Sequence, residues 1–87
     1  MRVTKSQVER LADARREYEY ARRDIAGPGK PVKYVGEPAR TLDELRAMAD
    51  AAGVRVEREP AGTYTVHRFE LRGVEFYRIE QDKGGEA

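Results

Sequence analysis

Side chains that carry out catalysis are scarce in this sequence. It has no cysteine, tryptophan or asparagine, a single serine (Ser6) and a single histidine (His67). Without cysteine there are no disulfides, and one histidine cannot supply the ligand set of a zinc site, so we expect neither a metal nor a cofactor. A nucleophile also needs an adjacent base or a lowered pKa, and the sequence places Ser6 in no such setting. We therefore predict that the protein is not an enzyme and has no catalytic residues.

Large apolar residues are also few. Leucine, isoleucine, valine and phenylalanine make up 16 of the 87 residues, slightly below the roughly 20% at which disorder becomes a concern in strongly charged chains. The net charge is only +1, so we expect a folded domain with a small core. Domains of this size usually need a disulfide, a metal or oligomerisation for stability. With the first two excluded, the composition favours a homodimer.

Long hydrophobic runs are absent as well. No segment approaches the roughly 20 apolar residues of a membrane-spanning helix, and residues 1–7 lack the apolar core of a signal peptide. The absence of cysteine is typical of a reducing compartment, so we expect a cytoplasmic protein with no membrane partner. Thirteen arginines against four lysines, with eleven alanines, indicate a GC-rich genome. Size and composition together are typical of a small orphan protein from a bacterium or its phage.

Charge is distributed unevenly along the chain. Residues 1–40 carry ten basic and six acidic side chains, whereas residues 41–87 carry seven basic and ten acidic ones. The first half could therefore attract an acidic partner, or the opposite half of a second copy. The balance is nevertheless far from the strongly basic composition of a dedicated nucleic-acid-binding domain.

The spacing of apolar residues predicts two helices. Residues 4–26 fit an amphipathic helix with Thr4 or Ser6 as the N-cap and Gly27-Pro28 as the stop. Its apolar seam has alternating steps of three and four residues: Leu11, Ala14, Tyr18, Ala21 and Ile25. Residues 42–52 fit a second helix, since Thr41 and Glu44 form a capping box and Gly53 suits the left-handed closing position.

The remaining segments predict four strands, at residues 32–35, 54–59, 63–72 and 74–80, with turns at 36–39 and 60–62. If Arg72-Gly73 is a two-residue hairpin loop, Leu71 faces Val74, Phe69 faces Phe76 and Val66 faces Ile79. The predicted fold class is α+β. It has two layers in the order α-β-α-β-β-β, and both helices lie on one side of a mostly antiparallel sheet. We expect residues 1–81 to form one domain and residues 82–87 a flexible tail.

The hairpin register places apolar residues on both faces of the sheet. Near the tip, one face carries Leu71, Phe69, Val74 and Phe76, whereas near the base Tyr64, Val66 and Ile79 lie on the other face. Either a bulge near His67 interrupts the strand, or both faces are covered at different heights. In the second case we expect the helices to cover the base, and the bent first helix or another chain to cover the tip.

Three further patterns have simple structural explanations. Gly27-Pro28-Gly29-Lys30 resembles a phosphate-binding loop only superficially, because it leads from a helix into a strand and lacks the following serine or threonine. Glu70 and Glu75 are better explained as solvated strand charges than as an acid–base pair. His67, alone on its strand, is more typical of a structural histidine than of a catalytic one.

These observations predict a non-enzymatic protein–protein interaction module, such as a small regulatory or phage-encoded inhibitor protein. Exposed aromatics concentrate binding energy, which makes Tyr20 and Tyr77 the candidate contacts for an unidentified protein partner. The predicted self-association surface combines the helix seam with the hairpin tip: Leu11, Tyr18, Ile25, Phe69, Leu71, Val74 and Phe76. The alternative function is a nucleic-acid-binding accessory protein with phosphate contacts from the first helix and the loop after it: Arg15, Arg16, Arg22, Arg23, Lys30 and Lys33.

Overall fold

The computed structural model describes residues 2–27, 29, 32 and 34–81. The predicted tail at 82–87, and Lys30 and Lys33, lie outside the described residues. The elements along the chain are two helices and four strands: α1 (Lys5–Ala26), β1 (Gly36–Pro38), α2 (Leu42–Ala52), β2 (Glu57–Ala61), β3 (Tyr64–Leu71) and β4 (Val74–Gln81). The predicted α+β class and element order are confirmed.

Both helices begin at the predicted caps. The Thr4 hydroxyl accepts a hydrogen bond from the Gln7 amide, while the Gln7 side chain accepts one from the Thr4 amide. Thr41 caps α2 by accepting from the Glu44 amide at 3.0 Å. In a capping box the Glu44 carboxylate would accept from the amide of Thr41. Here it accepts instead from the amide of the preceding residue, Arg40. Gly53 closes α2 with a φ of 73°, a left-handed conformation that a residue with a side chain rarely adopts.

The four strands form one sheet in the order β1-β4-β3-β2, with β1 parallel to β4 and the other pairs antiparallel. The predicted β3–β4 register is confirmed: Leu71 pairs with Val74, Phe69 with Phe76 and Val66 with Ile79. Pairing runs without a bulge from the base of this hairpin to its tip. Arg72 (φ 54°) and Gly73 (φ 79°) form the two-residue loop, and positive φ at both positions is what a type I′ turn requires.

The first two strands lie later in the chain than predicted. The strand predicted at residues 32–35 lies at Gly36–Pro38, and the one predicted at 54–59 lies at Glu57–Ala61, so residues predicted as turns form strands. The apolar alternation was misleading because Val35, Val54 and Val56 pack against the core from the segments that precede these strands. Both strands lie at sheet edges, where a proline is tolerated because no N–H donor is needed on the outer side.

The two helices cover one face of the sheet, and the core lies between the helices and this face. Phe69 and Phe76 stack at its centre with their ring centroids 4.7 Å apart, and Val74 is fully buried beside them. The prediction that the helices cover the base of the hairpin is therefore wrong, since they cover the face that carries the tip residues. Tyr64 and Ile79, at the base, lie on the uncovered face and are 47% and 51% exposed.

Candidate interaction surfaces

Helix α1 packs on the core along a different line from the predicted seam. Val8 and Ala12 are its only buried residues. The seam, which we call the α1 stripe, consists of Leu11, Ala14, Tyr18, Ala21 and Ile25. Since successive residues of an α-helix are rotated by roughly 100°, the centre of the stripe lies about 120° around the helix axis from the line of Val8 and Ala12. Leu11, Tyr18 and Ile25 are 37%, 53% and 79% exposed. The stripe thus lies on the outside of the subunit.

The core-facing side of α1 becomes polar after Ala12. Arg15, Glu19 and Arg23 occupy the positions that continue this line, and each is half-buried. The Arg15 guanidinium donates to the Gly36 carbonyl at 2.8 Å and lies 3.2 Å from the Glu37 carboxylate. These polar contacts attach the middle of α1 to β1. Tyr18 and Ile25 of the α1 stripe take no part in these contacts.

A groove of about 450 Å³ lies beside the α1 stripe, between the start of α1, β1 and α2. Leu11 belongs to both the groove and the stripe. We call this cavity the N-terminal groove; its apolar lining consists of Val3, Val8, Leu11, Pro38 and Met48. Polar residues also line it: Gln7, Glu37, Arg40 and Glu44. A concave site lined by apolar residues together with a few polar ones is typical of a binding pocket.

The uncovered face of the sheet, which we call the open sheet face, is the second exposed surface. Its apolar and aromatic side chains are Tyr34, Tyr64, Val66, Tyr77 and Ile79. The Tyr34 hydroxyl donates to the Glu75 carboxylate at 3.1 Å. Partial burial of the phenol and this hydrogen bond raise the pKa of Tyr34 to about 12. The register places four glutamates on the same face: Glu57, Glu59, Glu70 and Glu75. Arg68 also lies on this face and forms an ion pair with Glu59, so the face is acidic overall as well as apolar.

The hairpin part of the predicted self-association surface requires correction. Phe69, Val74 and Phe76 are buried inside the subunit, and Leu71 is half-buried against the same core. Side chains enclosed by the subunit's own helices are not available to another chain. Of the predicted set, Leu11, Tyr18 and Ile25 remain accessible.

The two candidate partner contacts lie on different surfaces. Tyr20 is partly exposed on α1, with the Arg23 guanidinium 5.0 Å from its ring centroid. Tyr77 is half-buried on the open sheet face, where the register places it between Pro38 and Arg68. The structure does not bring the two tyrosines into one site.

The described basic residues of the alternative nucleic-acid surface do not form one free cluster. Arg15 is engaged with β1, and Arg23 donates to the Asp24 carboxylate at 3.0 Å. Arg16 and Arg22 make no ion pair with the described part of the chain. The helical repeat also places Arg15 and Arg22 roughly 100° away from Arg16 and Arg23.

The hairpin tip is attached to α1 by a contact that spans 59 positions of sequence. The Arg72 guanidinium donates two hydrogen bonds to the Asp13 carboxylate, at 2.8 and 3.1 Å. The left-handed conformation costs a residue other than glycine about 1–2 kcal/mol, and this bidentate ion pair favours it at Arg72. The hydrogen bonds from Arg72 hold the pKa of the Asp13 carboxyl below its usual value.

This ion pair predicts a stability loss in acid. Because the pKa of Asp13 is lower in the folded than in the unfolded chain, its contribution is present above pH 4 and is lost as the pH falls through the folded pKa. We expect Asp13→Asn to lower the melting temperature at pH 7 and to reduce its fall between pH 5 and pH 3. Asp50→Asn, at an exposed aspartate with no ion pair among the described residues, is the control. An equal acid-induced fall in wild type and Asp13→Asn would show that this pair does not contribute.

His67 is buried in the sheet, on the face that the helices cover. No group of three or more metal-ligating side chains occurs in the described part of the chain. None of the described helices combines the length and apolar character needed to cross a membrane.

No protein-family model, curated protein or solved structure matches this chain.

Proposed function

We propose that this protein is a non-enzymatic protein-interaction module that binds a second copy of itself through the α1 stripe. The observation that carries the proposal is the exposure of a seam with heptad spacing. Large apolar residues recur on it at positions 11, 18 and 25. Tyr18 and Ile25 are mostly exposed, while Leu11 is 37% exposed and also lines the N-terminal groove. A contiguous apolar seam on the outside of a helix is typical of a surface that another chain covers.

The sheet edges are poor routes to self-association. On either side of β1, the Val35 carbonyl accepts from the Glu75 amide and the Ala39 amide donates to the Tyr77 carbonyl. Because backbone groups of successive strand residues point to opposite sides, the nitrogen of Pro38 faces outward, and it has no hydrogen to donate. In β2, the pair Ala61–Tyr64 flanks the two-residue β2–β3 loop and is therefore a hydrogen-bonded pair. The nitrogen of the preceding residue, Pro60, therefore faces outward as well. Prolines at these positions block the addition of a further strand. Helix pairing is therefore better supported than edge pairing.

The open sheet face is also a poor surface for a second copy. Face-to-face pairing would bring its glutamates close to those of the other subunit, and like charges at short range oppose association. A partner protein with basic side chains would suit this face better, and Tyr77 remains the predicted contact there. Acting by binding, such a module fits a small regulatory or inhibitor protein. We place it in the cytoplasm because the sequence has no cysteine.

The nucleic-acid alternative has less support. Arg15 and Arg23 already bond within the subunit, and the accessible arginines Arg16 and Arg22 lie on different sides of α1. Acidic residues are interspersed along the same helix: Glu9, Asp13, Glu17, Glu19 and Asp24.

The molar mass in solution tests the proposal. In light scattering behind a sizing column we expect the mass to approach twice the 9.9 kDa of one chain as concentration rises. A short helix seam is expected to give a dissociation constant on the order of micromolar, so dilution should restore the monomer. A mass that stays at 9.9 kDa up to several hundred micromolar would contradict the proposal.

A further inference from the structure

We infer that the second copy binds antiparallel, so that Leu11 and Tyr18 pack against alanines of the other subunit and Ile25 enters its N-terminal groove. This inference rests on the self-association proposed above and adds the orientation and register of the helix pair. Two features of α1 and its surroundings carry it: the order of side-chain sizes along the stripe and the groove beside it.

Side-chain size alternates strictly along the α1 stripe. Leu11, Tyr18 and Ile25 are large, and the two positions between them, Ala14 and Ala21, are small. In a parallel pair each residue meets its own copy, so layers of two large residues would alternate with layers of two alanines. In an antiparallel pair the two kinds of position face each other. Tyr18 then meets Ala14 of the second copy and Leu11 meets Ala21 of the second copy, which fills space evenly.

The charges beside the stripe are compatible with the antiparallel orientation. Arg10 and Asp24 flank the stripe on one side of α1, near its two ends. The antiparallel register places Arg10 beside Asp24 of the second copy, which also accepts from Arg23 of its own subunit, and symmetry forms this contact twice. The parallel register would instead place Arg10 beside Arg15 and Glu17 beside Arg22 of the second copy, one unfavourable and one favourable contact. Glu17 and Arg15 lie near the twofold axis in the antiparallel register, and each faces its own copy. Exposed charge pairs of either sign are weak.

The N-terminal groove receives the end of the second helix in this register. Since positions 11 and 21 are level, position 25 of one copy is level with position 7 of the other. Ile25 is the most exposed large apolar residue described, at 79%. Gln7 lines the N-terminal groove together with Val3 and Met48. The aliphatic Ile25 side chain is therefore positioned to enter the groove of the second copy, and the same contact occurs at the other end of the pair.

Single cysteines test the orientation directly, because the chain has no other thiol. Leu11→Cys and Ala21→Cys are prepared separately, one with a tag that changes its mass, and oxidised alone and mixed. In the antiparallel pair, a residue at position 11 or 21 lies roughly 15 Å along the axis from its own copy, beyond the Cα separation of about 7 Å that a disulfide spans. We expect a disulfide-linked dimer from the mixture and little from either variant alone. Thr63→Cys, in the exposed β2–β3 turn, measures collisional cross-linking.

A second pair, Gln7→Cys mixed with Ile25→Cys, tests the groove contact in the same way and guards against Leu11→Cys weakening the dimer. Each pair is expected to cross-link at least tenfold faster mixed than alone. Cross-linking of each variant with itself, or no cross-linking in either mixture while the wild-type mass remains dimeric, overturns the antiparallel register but leaves self-association standing. A monomeric wild-type mass contradicts the proposed function itself, so the two failures are distinguishable.

Discussion

Replacement of Phe76 by alanine is expected to unfold much of the protein population at 37 °C. Phe76 is fully buried on β4, stacks on Phe69 at 4.7 Å and lies beneath both helices. Removing a buried phenylalanine costs about 3–5 kcal/mol, because its contacts are lost and a cavity remains. A domain of this length has only about 4–13 kcal/mol of stability. Urea denaturation followed by circular dichroism measures the loss.

Ile79→Ala is the matched control for this prediction. Ile79 lies on the same strand but on the open sheet face and is half exposed, so its truncation is expected to cost about 1 kcal/mol or less. Should Phe76→Ala fail to fold, Phe76→Leu keeps most of the apolar volume and gives a measurable transition. Equal losses for the Phe76 and Ile79 variants would contradict the placement of the core on the helix-covered face.

Two elements could be predicted from the sequence in detail because their signals are local. The capping residues at Thr41 and Glu44 and the closing glycine at Gly53 define α2 within one turn of chain. A two-residue loop at Arg72-Gly73 leaves one possible register for the strands on either side, so the pairing of Phe69 with Phe76 followed directly. Neither prediction required knowledge of any distant contact.

The positions of β1 and β2 and the covered face of the sheet could not be predicted in this way. Alternating valines indicate one buried side, and this signal is the same whether they pair in a strand or pack on the core from a connecting segment. The register likewise places Phe69 and Ile79 on opposite faces without showing which one the helices cover. That choice depends on where α1 and α2 pack, which is a property of the whole fold.

The residues of the α1 stripe could be identified from the sequence, whereas the surface that they face could not. Helix α1 has two apolar lines, a long one at Leu11, Tyr18 and Ile25 and a short one at Val8 and Ala12. Periodicity identifies the longer line but does not show whether it faces the sheet or another chain. The contact between Asp13 and Arg72 joins residues 59 positions apart, so no local pattern could have shown it.

The most direct test of self-association through α1 compares two tyrosines of similar exposure. Tyr18, on the α1 stripe, is 53% exposed, and Tyr64, on the open sheet face, is 47% exposed. Neither is buried in the core, so replacing either by lysine is expected to leave the fold intact. In the dimer, Tyr18 of each subunit is buried at the interface. The lysine variant removes both tyrosines and introduces one charge per subunit, which is expected to cost about 3–4 kcal/mol of association free energy.

The deciding measurement is the dissociation constant of the dimer by sedimentation equilibrium, compared for wild type, Tyr18→Lys and Tyr64→Lys. Circular dichroism shows whether each variant is folded. We expect Tyr18→Lys to weaken the dimer more than about a hundredfold, and Tyr64→Lys to change it less than about threefold. The opposite ranking would move the interface to the open sheet face. A folded Tyr18→Lys variant that associates as tightly as wild type would contradict the central role of α1.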